Sequence, residues 1–371
     1  MCPQSPETTK GTNFSPPGMI PEFNALGKHP DDMGAYLQGH LPSALDLLGA
    51  SADCPRILGV LEDALDDLSR RPGGFTGHHV PTPAMRKATE AFMRLLVRPE
   101  ACEFIGMENY EYARELLKGG ANVLIVQNHT SPVDALPFLQ YVKARYGDRE
   151  LPSIVMSQVF EYARITGLLT SGLEKFPVFQ PKHVARFEGV RGGEVVKEMR
   201  RQNLSTMRSI VSSTKHGGHA MFLYPERDRN VDDMGAPEPV VMRIPEIVSR
   251  SPHPLYVLPM HVSGVASILP NRPGVNELDV FFESMNRGQG TIRCGRPVEF
   301  ARIVHAADHV AQPEPMAAGV LGRASRDADE RKLANRAALV LGLVDQLVPG
   351  NGDQRRYGDQ VIRTALSTIA S

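Results

Sequence analysis

From residue 122 onward, strand-sized apolar runs alternate with stretches of helical periodicity, and this alternation limits the architecture more than any other feature of the chain. Runs at 122–127, 152–156, 176–179, 220–224, 255–261, 278–283 and 292–298 are short, continuous and rich in branched and aromatic residues. Segments at 134–146, 158–169, 193–213, 326–346 and 354–370 repeat apolar residues every three or four positions. Strands that are apolar along their whole length must be covered on both faces. Helices between them supply the cover and force parallel connections. The expected class is α/β, a mostly parallel mixed sheet flanked by helices.

Ahead of that pattern the chain reads differently. Tyr36, Leu37, Leu41, Leu45 and Leu48, then Ile57, Leu58, Leu61, Leu65 and Leu68, recur at helical steps with no strand-like alternation. A break at Arg71-Pro72-Gly73-Gly74 follows. Residues 1–74 are therefore expected to hold a disordered arm and a small all-helical domain, and 75–371 the α/β domain. The first 18 residues lack the apolar core of a secretory signal and read as an arm or as the remainder of a cleaved targeting peptide. Pro81-Thr82-Pro83 opens the next helix, over 84–97, with Thr82 as N-cap. Another helix follows at 108–118, ended by Gly119-Gly120. Beyond 300 the motifs stop, and 301–327 reads as a variable, mobile segment.

Composition excludes several classes. A formal net charge of -1 over 371 residues argues against a nucleic-acid partner. Cys2, Cys54, Cys102 and Cys294 are widely spaced, with neither a zinc-type nor a disulfide-type pattern, and suit a reducing compartment. No apolar run reaches the roughly 20 residues of a membrane span. The chain is thus expected to be soluble, with contact to membranes at most peripheral.

One strand delivers unusual chemistry. Val123–Gln127 leads into Asn128-His129-Thr130-Ser131-Pro132-Val133-Asp134, so a histidine and an aspartate five residues apart fall on a strand-to-helix turn. Loops at the ends of parallel strands sit on a rigid scaffold yet stay open to substrate. An imidazole there can take a proton from a hydroxyl while the carboxylate fixes its tautomer and balances the imidazolium. Of 12 histidines, only His129 has an aspartate at this spacing. Three further clusters follow other strands: Gln180-Pro181-Lys182-His183, Pro225-Glu226-Arg227-Asp228-Arg229 and Pro259-Met260-His261. Lys182, His183, Arg227 and Arg229 carry the forked and compact cations that bind phosphate. Singly, the 225–229 cluster reads more often as a solvated loop making surface ion pairs, and His183 or His261 more often as a scaffold histidine. Together, at successive strand ends, they converge on one crevice.

The block Asn128–Asp134 resembles the NHxxxxD block of the glycerolipid acyltransferases, and the nearer resemblance is to the soluble, plastid-type glycerol-3-phosphate acyltransferases, also present in some bacteria. Lys182-His183 resembles that family's basic pair, Arg227-Asp228-Arg229 its RDR block, and the 255–261 strand its later apolar strand ending in histidine. Order and spacing agree over roughly residues 84 to 270, and the helical N-terminal region resembles the family's small first domain. The chain departs from the family where Pro225-Glu226 stands in place of glycines before RDR.

The resemblance implies transfer of a fatty acyl group from an acyl carrier protein or coenzyme A thioester to the sn-1 hydroxyl of glycerol 3-phosphate, giving lysophosphatidate. His129 would be the general base and Asp134 its orienting partner. Lys182, His183, Arg227 and Arg229 would hold the phosphate, with Asn128, Glu226 and His261 as supporting residues. No cofactor or metal is expected, the thioester being a co-substrate. The compartment would be a plastid stroma or a bacterial cytoplasm. Lys197, Arg200, Arg201 and Arg208, with Arg186 and Arg191 before them, offer a basic face for an acidic carrier protein, diluted by Glu188, Glu194 and Glu198. An acyltransferase acting on lysophosphatidate or another phosphorylated alcohol, and a non-catalytic phosphate- or lipid-binding protein on the same fold, are the alternatives.

Overall fold

The computed structural model describes residues 54–69, 77–97, 99–131, 133–157, 170–181, 184–185, 193–226, 238–265, 289–309, 328–349, 364–367 and 369. Two helices, α1 (Cys54–Ser69) and α2 (Pro83–Leu96), come first. Thr82 caps α2 as the sequence predicts: its backbone is extended and its hydroxyl accepts from the Met85 N–H at 3.3 Å, with Pro83 preset for the first turn. Then follow β1 (Glu103–Ile105), α3 (Met107–Lys118), β2 (Asn122–Gln127), α4 (Leu136–Tyr146), β3 (Ser153–Ser157) and β4 (Lys175–Val178). The chain continues through α5 (Gly193–Thr214), β5 (Ala220–Leu223), α6 (Arg243–Val248) and β6 (Leu255–Ser263). It goes on with β7 (Thr291–Cys294), β8 (Val298–Glu299), α7 (Phe300–His309) and α8 (Ala328–Asp345).

The strands form one sheet in the order β1-β7-β6-β2-β5-β3-β4, with β8 beside β6. Neighbours from β6 to β4 are parallel, whereas β7 and β8 run antiparallel to β6. The sheet is therefore mixed and mostly parallel, with helices on its faces. β2 lies at its centre and is buried at every residue. Alternation along it feeds two cores. Val123 and Ile125 pack with Phe138, Leu139 and Val142 of α4, with Phe222 and with Met260. Leu124 and Val126 pack on the other face with Leu223, Val257, Ile244, Phe300, Ile303 and Leu341. Because β2, β3, β4, β5 and β6 point the same way, the loops after Gln127, Ser157, Val178, Leu223 and Ser263 leave from one edge.

Most elements fall within a residue or two of their sequence-based ranges; the rest divide in instructive ways. The run 292–298 is two strands, because Gly295-Arg296-Pro297 interrupts it. The Gly295 N–H donates to the Pro259 carbonyl at 2.8 Å, and Pro297 has no N–H to give to a ladder. The expectation of a mobile segment at 301–327 is corrected at its start: 300–309 is a helix. Phe300, Ile303, Ala306 and Ala307 recur at helical spacing and are buried against the sheet and α8. The three-residue β1 and the short α6 have no counterpart in the sequence reading. Of the expected helical domain, only α1 is described. Its Ile57, Leu61 and Ala64 share a core with Met85 and Ala88 of α2 and with the sheet. The helix at 158–169 and the strand at 278–283 lie outside the described residues. So does most of 354–370, of which 364–367 and 369 are helical.

Candidate active site

The segment between β2 and α4 closes on itself. Asp134 is fully buried, and its carboxylate accepts four hydrogen bonds. Oδ2 receives the Thr130 N–H at 2.6 Å, the Ser131 N–H at 2.9 Å and His129 Nδ1 at 2.9 Å. Oδ1 receives the Thr130 hydroxyl at 2.8 Å. A carboxylate that already takes two backbone N–H groups is an acceptor, so Nδ1 carries the proton and Nε2 is left with its lone pair. The first turn of α4 starts two residues later, and the positive end of its dipole favours a negative charge at this point. The His129 side chain keeps 20% of its surface exposed. It is buried enough to be held and open enough to meet a ligand.

Two other strand ends fix the histidine. Asn128 clasps the end of β6 twice: its side-chain N–H donates to the Val262 carbonyl at 2.9 Å, and its Oδ1 accepts the Val262 N–H at 2.7 Å. Glu226, just past β5 and 5% exposed, accepts the His129 N–H through Oε2 at 2.5 Å. Tyr224, also beyond β5, stacks on the imidazole with ring centroids 4.1 Å apart and planes 23° apart. Of the residues singled out in the sequence, His129, Asp134, Asn128 and Glu226 are thus brought together. Tyr224, Thr130 and Ser131 were missed. Tyr224's only signal is its position at the end of the 220–224 run, on the face it shares with Phe222.

His261 is placed elsewhere. It lies within β6 opposite Arg293 of β7, and alternation turns it away from the core that holds Met260 and Val262. It is 7% exposed, and its Nδ1 has no hydrogen-bond partner among the described residues. Burial, and secondarily the Arg293 charge, push its pKa down to about 4, so the imidazole is neutral. Lys182, His183, Arg227 and Arg229 lie outside the described residues, although β4 and β5, which precede them, end on the edge that carries His129. Along α5, Lys197, Arg200, Arg201 and Arg208 are exposed, and Arg201 is tied to Glu198 at 2.7 Å.

Among the described residues, no group of three or more His, Cys, Asp or Glu side chains is placed to hold a metal ion. No described helix is long and apolar enough to cross a membrane. Compared with models of known protein families and with curated proteins, the chain matches none.

Proposed function

We propose that the chain is an acyltransferase that moves a fatty acyl group from a carrier-protein or coenzyme A thioester to the sn-1 hydroxyl of glycerol 3-phosphate. The observation that carries this reading is the His129–Asp134 pair, with Nδ1 held at 2.9 Å and Nε2 left to accept a proton. In the reaction, Nε2 takes the hydroxyl proton as the oxygen attacks the thioester carbonyl carbon. The tetrahedral oxyanion then collapses, the C–S bond breaks, and the thiolate leaving group receives the proton from Nε2. Asp134 stays ionised throughout and offsets the positive charge on the imidazolium. Glu226 and Asn128 act through position, since they fix the backbone on either side of the imidazole.

Phosphate recognition is assigned to Lys182, His183, Arg227 and Arg229 on their sequence pattern, and Asp228 joins no step. Holding the phosphate would bring the hydroxyl to Nε2 and convert an encounter into an intramolecular reaction, an effect worth several kcal/mol. No cofactor enters, because the thioester itself is activated. The test is an assay of the purified chain with palmitoyl thioester and glycerol 3-phosphate, glycerol or lysophosphatidate as acceptors. Acylation of glycerol 3-phosphate well above the other two supports the assignment. Turnover of lysophosphatidate alone would move the chain to the next acylation step. Binding of glycerol 3-phosphate without turnover would make it a non-catalytic relative.

A further inference from the structure

On the face of the sheet opposite α4, helices α6, α7 and α8 line an open, solvent-facing pocket of about 390 Å³. That volume is in the range of small-molecule sites. Among the described residues, its wall carries four cations, Arg243, Arg250, Lys332 and Arg336, and one carboxylate, Glu246. Arg336 is the best-buried of them, its side chain 11% exposed. Its fork is divided between two acids: Nη1 meets Glu246, and Nη2 meets Asp308 at 3.6 Å. Its Nε–H is buried with no acceptor among the described residues. Arg243 reaches Glu246 only at 3.5 Å and stays half exposed. Arg250 and Lys332 are exposed beside it. Counting Glu246 and Asp308 against the four cations leaves two positive charges in excess, on a chain whose formal net charge is -1.

We propose that this pocket binds a phosphate monoester, at a site separate from the His129 crevice. A dianion matches the local excess. Its oxygens would meet the guanidinium groups of Arg243 and Arg250 and the ammonium of Lys332 in charge-assisted bonds. Phe300 and Val304 form the apolar part of the wall and would take the organic group of the ester. A bare phosphate would leave that part unused.

Titration calorimetry of the full chain in phosphate-free buffer tests this, with n-butyl phosphate and inorganic phosphate as probes. The measurements are made on the wild type and on Arg227→Ala/Arg229→Ala, which removes the proposed substrate clamp. In that clamp variant n-butyl phosphate is expected still to bind, and more tightly than inorganic phosphate. Adding Arg250→Glu and Lys332→Glu should weaken it by ~10-fold or more, from the loss of two charge-assisted partners. Both positions are exposed, and Lys332→Gln, a milder change with a smaller expected loss, serves if the reversal disturbs folding. Retention of full affinity after these changes overturns the proposal, as does loss of all binding in the clamp variant. Equal affinity for the two probes would also overturn it, by making the site one for free anion. None of these results depends on acyl transfer, so failure here leaves the proposed activity standing, and failure of that activity leaves this site standing.

Discussion

At the scale of single residues, the proposed reaction gives His129 and Asp134 separable roles. His129→Ala is expected to lower kcat by at least ~10²-fold, the usual range for losing a general base, with a far smaller effect on glycerol 3-phosphate binding. Asp134→Asn tests the partner. An amide at that position would keep one oxygen to accept but would present an NH₂ group to backbone N–H donors and could not balance an imidazolium. Steady-state kinetics should show kcat lost while KM moves little. Near-wild-type turnover in His129→Ala would end the general-base assignment. His261 makes a different prediction, about stability. Its folded pKa of about 4 lies below the ordinary 6.5, so the unfolded chain binds its proton first as pH falls. The stabilisation is fully present above pH 6.5 and is lost progressively between there and about 4. It amounts to ~3 kcal/mol at most. Replacing His261 with a neutral residue such as Gln should flatten the fall in denaturation midpoint across that window. An unchanged slope would mean that other groups govern it.

At the scale of elements, legibility followed length and burial. β2 was readable to the residue because a central parallel strand is apolar on both faces, and 122–127 is buried throughout. Its neighbours in the sheet shifted by a residue or two. β1 was not legible, since three residues with an exposed-intermediate-exposed pattern carry no periodic signal and pair only because β7 is there to receive them. The start of α7 was obscured by the unpatterned stretch that follows it. Yet Ile303 is completely buried, and Ile303→Ala should cost about 2–5 kcal/mol, measured as a drop in denaturation midpoint. A change below 1 kcal/mol would show that α7 is not part of the folding unit. In the candidate site, the closeness of His129 and Asp134 was legible because an apolar strand runs straight into a pair five residues apart, which puts both on one strand-to-helix turn. Tyr224 was not, because its stacking partner lies 95 positions away in the chain and only the pairing of β2 with β5 brings the two rings together. His261 was misplaced in emphasis: a histidine near a strand end looks like site chemistry until alternation sends it to the other face.

At the scale of the whole molecule, the parallel topology places the loops after β2, β4 and β5 on one edge. The phosphate cations proposed from the sequence follow the last two. Arg227→Ala or Arg229→Ala should therefore lower kcat/KM for glycerol 3-phosphate ~10- to 100-fold, mostly through KM, because the phosphate charge is the same in ground and transition states. Glycerol, which has no phosphate and is expected to be a poor acceptor, should be nearly indifferent to both changes. Equal losses on the two acceptors would assign these arginines to holding the fold. Lysine at either position should restore part of the activity, since it supplies charge without the planar fork.

The closure of the 128–134 segment has a further consequence. Among the described residues, the hydrogen bonds to the Asp134 carboxylate come from His129, Thr130 and Ser131, so donors and acceptor travel together on one short stretch of chain. The pairing of base and carboxylate is then made within that loop, while Glu226, Tyr224 and the Asn128 clasp on β6 hold the loop and its imidazole in place. Such a unit is portable. In the proposed enzyme, drift in the surrounding helices can reshape which alcohol or thioester reaches His129 without detuning the proton acceptor. Divergence in substrate choice should therefore accumulate around this loop rather than inside it.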